Sequence, residues 1–94
     1  MPVKNRELKD LVSVGPAMLR DFEMLGVASV AQLSKQNPEM LYEKLCQITG
    51  KPQDICCLDV FRAAVAQARN PQLRLDQRHW WYWSRKRKAS DGSR

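Results

Sequence analysis

The chain has 94 residues, 44% of them hydrophobic, and a formal net charge of +6 at pH 7. That length holds one small domain with one modest core, and that hydrophobic share excludes disorder throughout. No apolar run approaches a membrane span and no charged-then-apolar leader is present, so the expectation is a cytoplasmic protein with no membrane partner.

In chain order, residues 4–12 predict a first short helix, marginal unless packing supports it. In Leu11-Val12-Ser13-Val14-Gly15-Pro16-Ala17, valine and glycine are poor helix interior, and a proline directly after glycine suits the first turn of a new helix. Ser13 to Gly15 therefore form a hairpin and Pro16 opens a second helix, with Met18, Phe22 and Leu25 on one face and Gly26 as its left-handed cap. Ser29-Val30-Ala31-Gln32 matches a capping box and starts a third helix that ends near Gln36, with Val30 and Leu33 inward. Asn37-Pro38-Glu39 starts a fourth, which turns Leu41, Leu45 and Ile48 to the core with Tyr42 and Cys46 on the flank. Thr49-Gly50-Lys51-Pro52 breaks it. Asp54 caps a fifth helix with an apolar row at Leu58, Phe61, Val65 and Ala68 and with Arg62 and Arg69 on its edges, and Asn70-Pro71 ends it. No strand pattern competes, so the fold class is all-α.

The two breaks repeat one another. In each, an apolar helix runs into a glycine-containing hairpin and out into another apolar helix, with residues 29–36 as connector. Two degenerate helix-hairpin-helix units account for the five short helices. Beyond them, Asp76 is placed to cap a last turn carrying Trp80, Trp81, Tyr82 and Trp83. These tryptophans either lock the C-terminus back over the helices, at about 2–3 kcal/mol of burial each, or offer a surface that stacks on bases or anchors a protein. If the run is helical, at least one of Trp80, Trp81 and Trp83 faces outward, because they span more than one face. Over residues 84–94, Arg85, Lys86, Arg87, Lys88 and Arg94 oppose only Asp91. That stretch reads as a disordered basic tail behind a domain of residues 1–83, so the high pI says little about a basic face on the folded part.

Chemistry is sparse. A hairpin beside a helix N-terminus turns backbone N–H groups outward, where they suit an oxyanion such as a phosphate; it is equally a compact turn between helices. Cys46, Cys56 and Cys57 read as reduced, packed thiols, and with the lone His79 they lack metal-ligand spacing, so no metal site is expected. Cys56 and Cys57 lie in a helical first turn, where a thiolate is favoured, but no base is within readable reach and no enzyme is expected.

The series Leu8-Lys9-Asp10-Leu11 through Val14-Gly15-Pro16-Ala17, then Leu25-Gly26-Val27-Ala28-Ser29-Val30-Ala31-Gln32-Leu33, resembles the tandem helix-hairpin-helix proteins. More narrowly, the chain looks like the small bacterial pathogenicity-locus family, some members of which carry a mitomycin-resistance label. Asn37-Pro38-Glu39 with Leu41-Tyr42, Cys56 with Leu58 to Ala63, and Trp80-Trp81-Tyr82-Trp83 carry the same likeness. Leu11 to Leu33 is also similar to the C-terminal domain of TfoX-type competence regulators. The resemblance implies a SAM-like all-α fold with the aromatic C-terminal segment packed back. For the wider group it implies sequence-tolerant binding of the DNA backbone by hairpin amides in an apolar-x-Gly-apolar-Gly pattern. Ser13 stands here at the first glycine position and Gly15 at the second, while the second hairpin keeps Gly50 with Lys51 beside it.

Two functions follow as expectations. One is a non-enzymatic module for DNA, duplex and without sequence preference, using Lys9, Ser13, Val14, Gly15, Ala17, Arg20, Gly50 and Lys51, with the 85–88 cluster supplying long-range attraction. The other is a protein-interaction module using Trp80, Trp81 and Trp83. Neither calls for a cofactor or a small-molecule substrate.

Overall fold

The computed structural model describes residues 6–91. Its five α-helices are α1 (Pro16–Leu25), α2 (Val30–Ser34), α3 (Pro38–Thr49), α4 (Ile55–Arg69) and α5 (Trp80–Asp91), with short 3-10 turns at Leu8–Asp10 and Asp76–Arg78. Among the described residues there is no strand.

Helix ends fall where cap chemistry places them. Gly26 adopts φ 77° after α1, and the Gly26 and Val27 amides close onto the Glu23 and Phe22 carbonyls at 3.1 and 2.9 Å. Ser29 Oγ accepts from the Gln32 amide at 3.1 Å to start α2, and Asn37 Oδ1 accepts from Glu39 and Met40 to start α3. Packing sets α2 and α3 against α4 and α1 against α3, and Phe22 of α1 and Phe61 of α4 meet fully buried with ring centroids 5.7 Å apart. Ile48, expected inward, is half exposed, because α3 needs only Leu41 and Leu45 to reach the core before Gly50 ends it.

Two departures from expectation change the architecture. The helix predicted over residues 4–12 is only the turn Leu8–Asp10, with residues 4 and 5 outside the described range. Asp10 closes that turn at once by accepting the Glu7 amide at 2.8 Å, and Leu11 is already extended. The five helices are therefore not the five expected.

The fifth comes from the supposed tail. Residues 84–91 are helical, which moves the domain boundary past residue 83; residues 92–94 lie outside the described range. The cause lies on α4, where Asp59, Ala63 and Gln67, at i, i+4 and i+8, form a second buried row behind the apolar one. Asp59 is fully buried, and Arg87 of α5 answers it from Nε (3.1 Å to Oδ1) and Nη2 (2.9 Å to Oδ2). Ser84 is buried on the same helix. A buried carboxylate left alone would be costly, so this fork specifies where α5 docks.

Candidate functional site

The first hairpin is held from outside itself. Gln67, 4% exposed, accepts from the Val12 amide at 2.9 Å and donates to the Val12 carbonyl at 2.9 Å. Its amide nitrogen also reaches the Arg78 carbonyl at 3.2 Å, so one side chain ties the hairpin to α4 and to the approach to α5. Ser13 has φ 74°, the left-handed conformation that costs a side-chain-bearing residue about 1–2 kcal/mol. Its Oγ accepts the Trp80 backbone N–H at 3.1 Å, at the first residue of α5. Val14 packs on the core and spends its amide on the Leu11 carbonyl at 3.2 Å.

Past Val14 the hairpin opens. Gly15, extended at φ −105°, is the N-cap of α1 and places no side chain over its first turn. The Gly15 and Ala17 amides have no acceptor among the described residues, and both residues are exposed. These are the outward N–H groups of a helix start. Arg20 is exposed one turn along α1, and Lys9 is exposed with Nζ 3.6 Å from Glu7 Oε1.

Gly50 and Lys51 do not join this group. Their amides close α3, on the Gln47 and Cys46 carbonyls at 3.3 and 3.2 Å. Asp54 then occupies the start of α4, its Oδ1 accepting from the Cys56 amide at 2.9 Å. Hydrogen bonds from Cys56, backbone first, hold that carboxyl below its ordinary value. A carboxylate thus occupies the start of α4. Among the described residues no hydrogen bond or ion pair joins residues 13–17 to residues 50–54.

The aromatic run divides. Trp83 is partly buried, donates from Nε1 to the Gln77 carbonyl at 2.8 Å and packs edge-on against Tyr82, which makes it structural. Trp80 and Trp81 are 39% and 37% exposed. His79 stacks on Trp81, and the Arg85 guanidinium lies 4.9 Å from the same ring. The Ser13–Trp80 bond joins the first turn to the start of the helix that carries the tryptophans. Arg85, Lys86 and Lys88 are exposed on α5 beyond it, whereas Arg87 is committed to Asp59.

Burial, above all, raises the Cys56 and Cys57 thiols, with Asp54 adding to the shift on Cys56, so the helix start does not activate them. Among the described residues no three His, Cys, Asp or Glu side chains could hold a metal ion. None of the described helices is long and apolar enough to cross a membrane. Gln67 and Asp59 escaped the sequence reading, and Arg87 was read only as one charge of the basic 85–88 cluster; the available signal was two polar residues, each four from Ala63, inside a largely buried helix.

Residues 3–89 match the family Cdd1, described as "Pathogenicity locus". The chain belongs to that family. It is similar to the "Mitomycin resistance protein McrB" of Streptomyces lavendulae, with 38% identity over 82 residues, 87% of this chain and 74% of the relative. The family match takes in the first hairpin, Gln67 and α5 as far as residue 89, so the Ser13–Trp80 bond lies within it. No solved structure matches the chain.

Proposed function

We propose that this family member is a non-enzymatic nucleic-acid-binding module of helix-hairpin-helix, SAM-like type, related to the C-terminal domain of TfoX-type regulators and acting in the cytoplasm. It holds backbone phosphate at the open start of α1, without sequence preference. The observation that carries this reading is the bond from Trp80 N–H to Ser13 Oγ, which ties the turn before the open Gly15 and Ala17 amides to the start of α5, the helix that carries Arg85, Lys86 and Lys88. Arg20, Arg85, Lys86 and Lys88 supply attraction, while phosphate contacts position the strand and carry no sequence. The proposed site is thereby confined to the first hairpin. Gly50 and Lys51 drop out because their amides are spent and Asp54 repels an anion. A setting in mitomycin resistance, the name its Streptomyces relative bears, is proposed for this chain on the 38% identity.

The deciding experiment is a fluorescence-anisotropy titration of short labelled DNA at about 50 and 200 mM salt. Removing residues after Ser84 would strip Arg87 from Asp59, so the full chain is used. Gly15→Asp copies the Asp54 arrangement into the first hairpin, where an added Cβ meets nothing within 4 Å. Wild type should bind with strong salt dependence, and Gly15→Asp should lose about ten-fold or more while folding at least as well. Equal affinity for the two proteins would remove the hairpin as the site. Trp80 and Trp81 also favour a second reading, a protein-interaction surface, which predicts binding insensitive to salt.

A further inference from the structure

Resting on the phosphate reading, we propose that Trp80 is a base-stacking platform, so that the ligand is nucleic acid with unpaired bases rather than intact duplex. Four observations converge on that residue. Its side chain is among the exposed large apolar groups although it sits where the chain is anchored twice, by its own amide on Ser13 and by Arg87 on Asp59 two turns later. The anchoring holds the Trp80 backbone while the ring stays open. Among the described residues the ring has no aromatic or cationic partner, in contrast to Trp81 with His79 and Arg85, and to Trp83 with Tyr82 and Lys86. The fourth is charge. Arg85 and Lys86 line an open groove of about 580 Å³ with Asp76, Trp81 and Tyr82 on another face of α5, so the helix that carries Trp80 also carries groups that attract a polyanion.

A strand whose phosphate meets the Gly15 and Ala17 amides is held close to Ser13, whose hydroxyl accepts the Trp80 N–H, and in this proposal a neighbouring base reaches the Trp80 ring from there. Any base has a π-face, so stacking there adds affinity without reading sequence. In a duplex the base faces are already stacked on one another and cannot reach the ring, which is why the proposal changes the ligand class. Trp81 is already covered by His79 and Arg85, which makes it the weaker platform.

The test compares four combinations on the full chain: wild type and Trp80→Ala, each titrated with a single-stranded DNA and with an abasic strand of the same length and phosphate number. Wild type should bind the base-bearing strand about ten-fold more tightly than the abasic one, and Trp80→Ala should erase that difference. Affinity for the abasic strand should be unchanged by Trp80→Ala. Equal binding of both strands by both proteins, still lost at high salt and in Gly15→Asp, overturns the stacking proposal and leaves the phosphate reading standing. No salt-sensitive binding of any strand, duplex included, overturns both. Trp80→Phe keeps a π-face and should retain at least half of the gain in binding energy, so a complete loss in that variant would expose a purely structural role.

Discussion

At Ser13–Pro16 and again at Gly50–Asp54 the chain performs the same manoeuvre: it turns through one left-handed residue, φ 74° and 72°, and enters a helix behind a capping residue. The second hairpin is finished by its own residues and the helix just before it, from which Tyr42 donates to the Gln53 carbonyl. Glycine takes the left-handed position without strain, its amides close the preceding helix, and Asp54 closes the following one. The first is finished by other parts of the protein. Serine takes the left-handed position and spends its hydroxyl on α5, Gln67 holds the backbone, and nothing closes the start of α1. What distinguishes a possible anion site from a plain turn is therefore the residue standing on the next helix, not the glycine itself.

The largest effect should come from cutting the buried pair that docks α5, the helix on which the first hairpin leans. Asp59→Ala leaves Arg87 without its buried partner and should cost about 3 kcal/mol or more, the size seen when one member of a buried pair is removed. For a domain of this length that lowers the melting midpoint by roughly 12 °C or more. Urea unfolding followed by helix signal measures it. A loss below about 1 kcal/mol would mean that α5 is not held by this pair, and the contrast between the hairpins would fail.

How far the molecule was legible follows from which signals are local. Gly26, Ser29, Asn37, Gly50 and Asp54 are caps, and a cap is decided by the few residues around it, so α1 to α4 were readable. The first predicted helix failed because its apolar residues reach the core from a turn and an extended segment, without a helix between them. The basic C-terminal stretch was misread for the opposite reason. Ser84 to Asp91 has no apolar face, and its order comes from a contact with Asp59, 28 residues away from Arg87. Of the candidate site, the turn at Ser13–Gly15 and the exposed Trp80 and Trp81 were each legible as separate features, but the bond of the Ser13 hydroxyl to Trp80 spans 67 residues and was not.

Substituting the glycines sharpens the comparison at an intermediate scale. Gly50→Ala forces a Cβ into φ 72° with no steric contact, so its cost is conformational, about 1 kcal/mol. Gly15→Ala sits in extended backbone in open space, where lost unfolded-state entropy offsets a poorer cap, and should fall within about 0.5 kcal/mol of wild type. Gly15→Asp should gain about 0.5 kcal/mol from capping α1. Thermal midpoints ordered Gly15→Asp, Gly15→Ala, Gly50→Ala would support the assignment; the reverse order for the last two would show that the glycine beside Pro16, not the one after α3, carries the backbone demand.

Acid should separate the two hairpins by sign, with the smallest effect of all. Asp54 titrates below its ordinary value of 3.8 because its carboxylate accepts from Cys56. Its contribution is present above that value and is lost as pH falls through the lowered one, so the start of α4 loosens in acid. Asp21 on α1 has the opposite sign: burial raises its carboxyl, ionisation works against the fold, and protonation relieves it. Acidification should therefore lower the protection factor (exchange taken against the intrinsic rate at each pH) near Cys57, whose amide bonds Asp54, and leave the Leu19 amide on Gly15 as protected as before or more so. Asp54→Asn keeps a neutral cap and should flatten the first response alone. If both helix starts loosen together, Asp54 is not the closing group of the second hairpin, and its exclusion as an anion site loses its electrostatic reason.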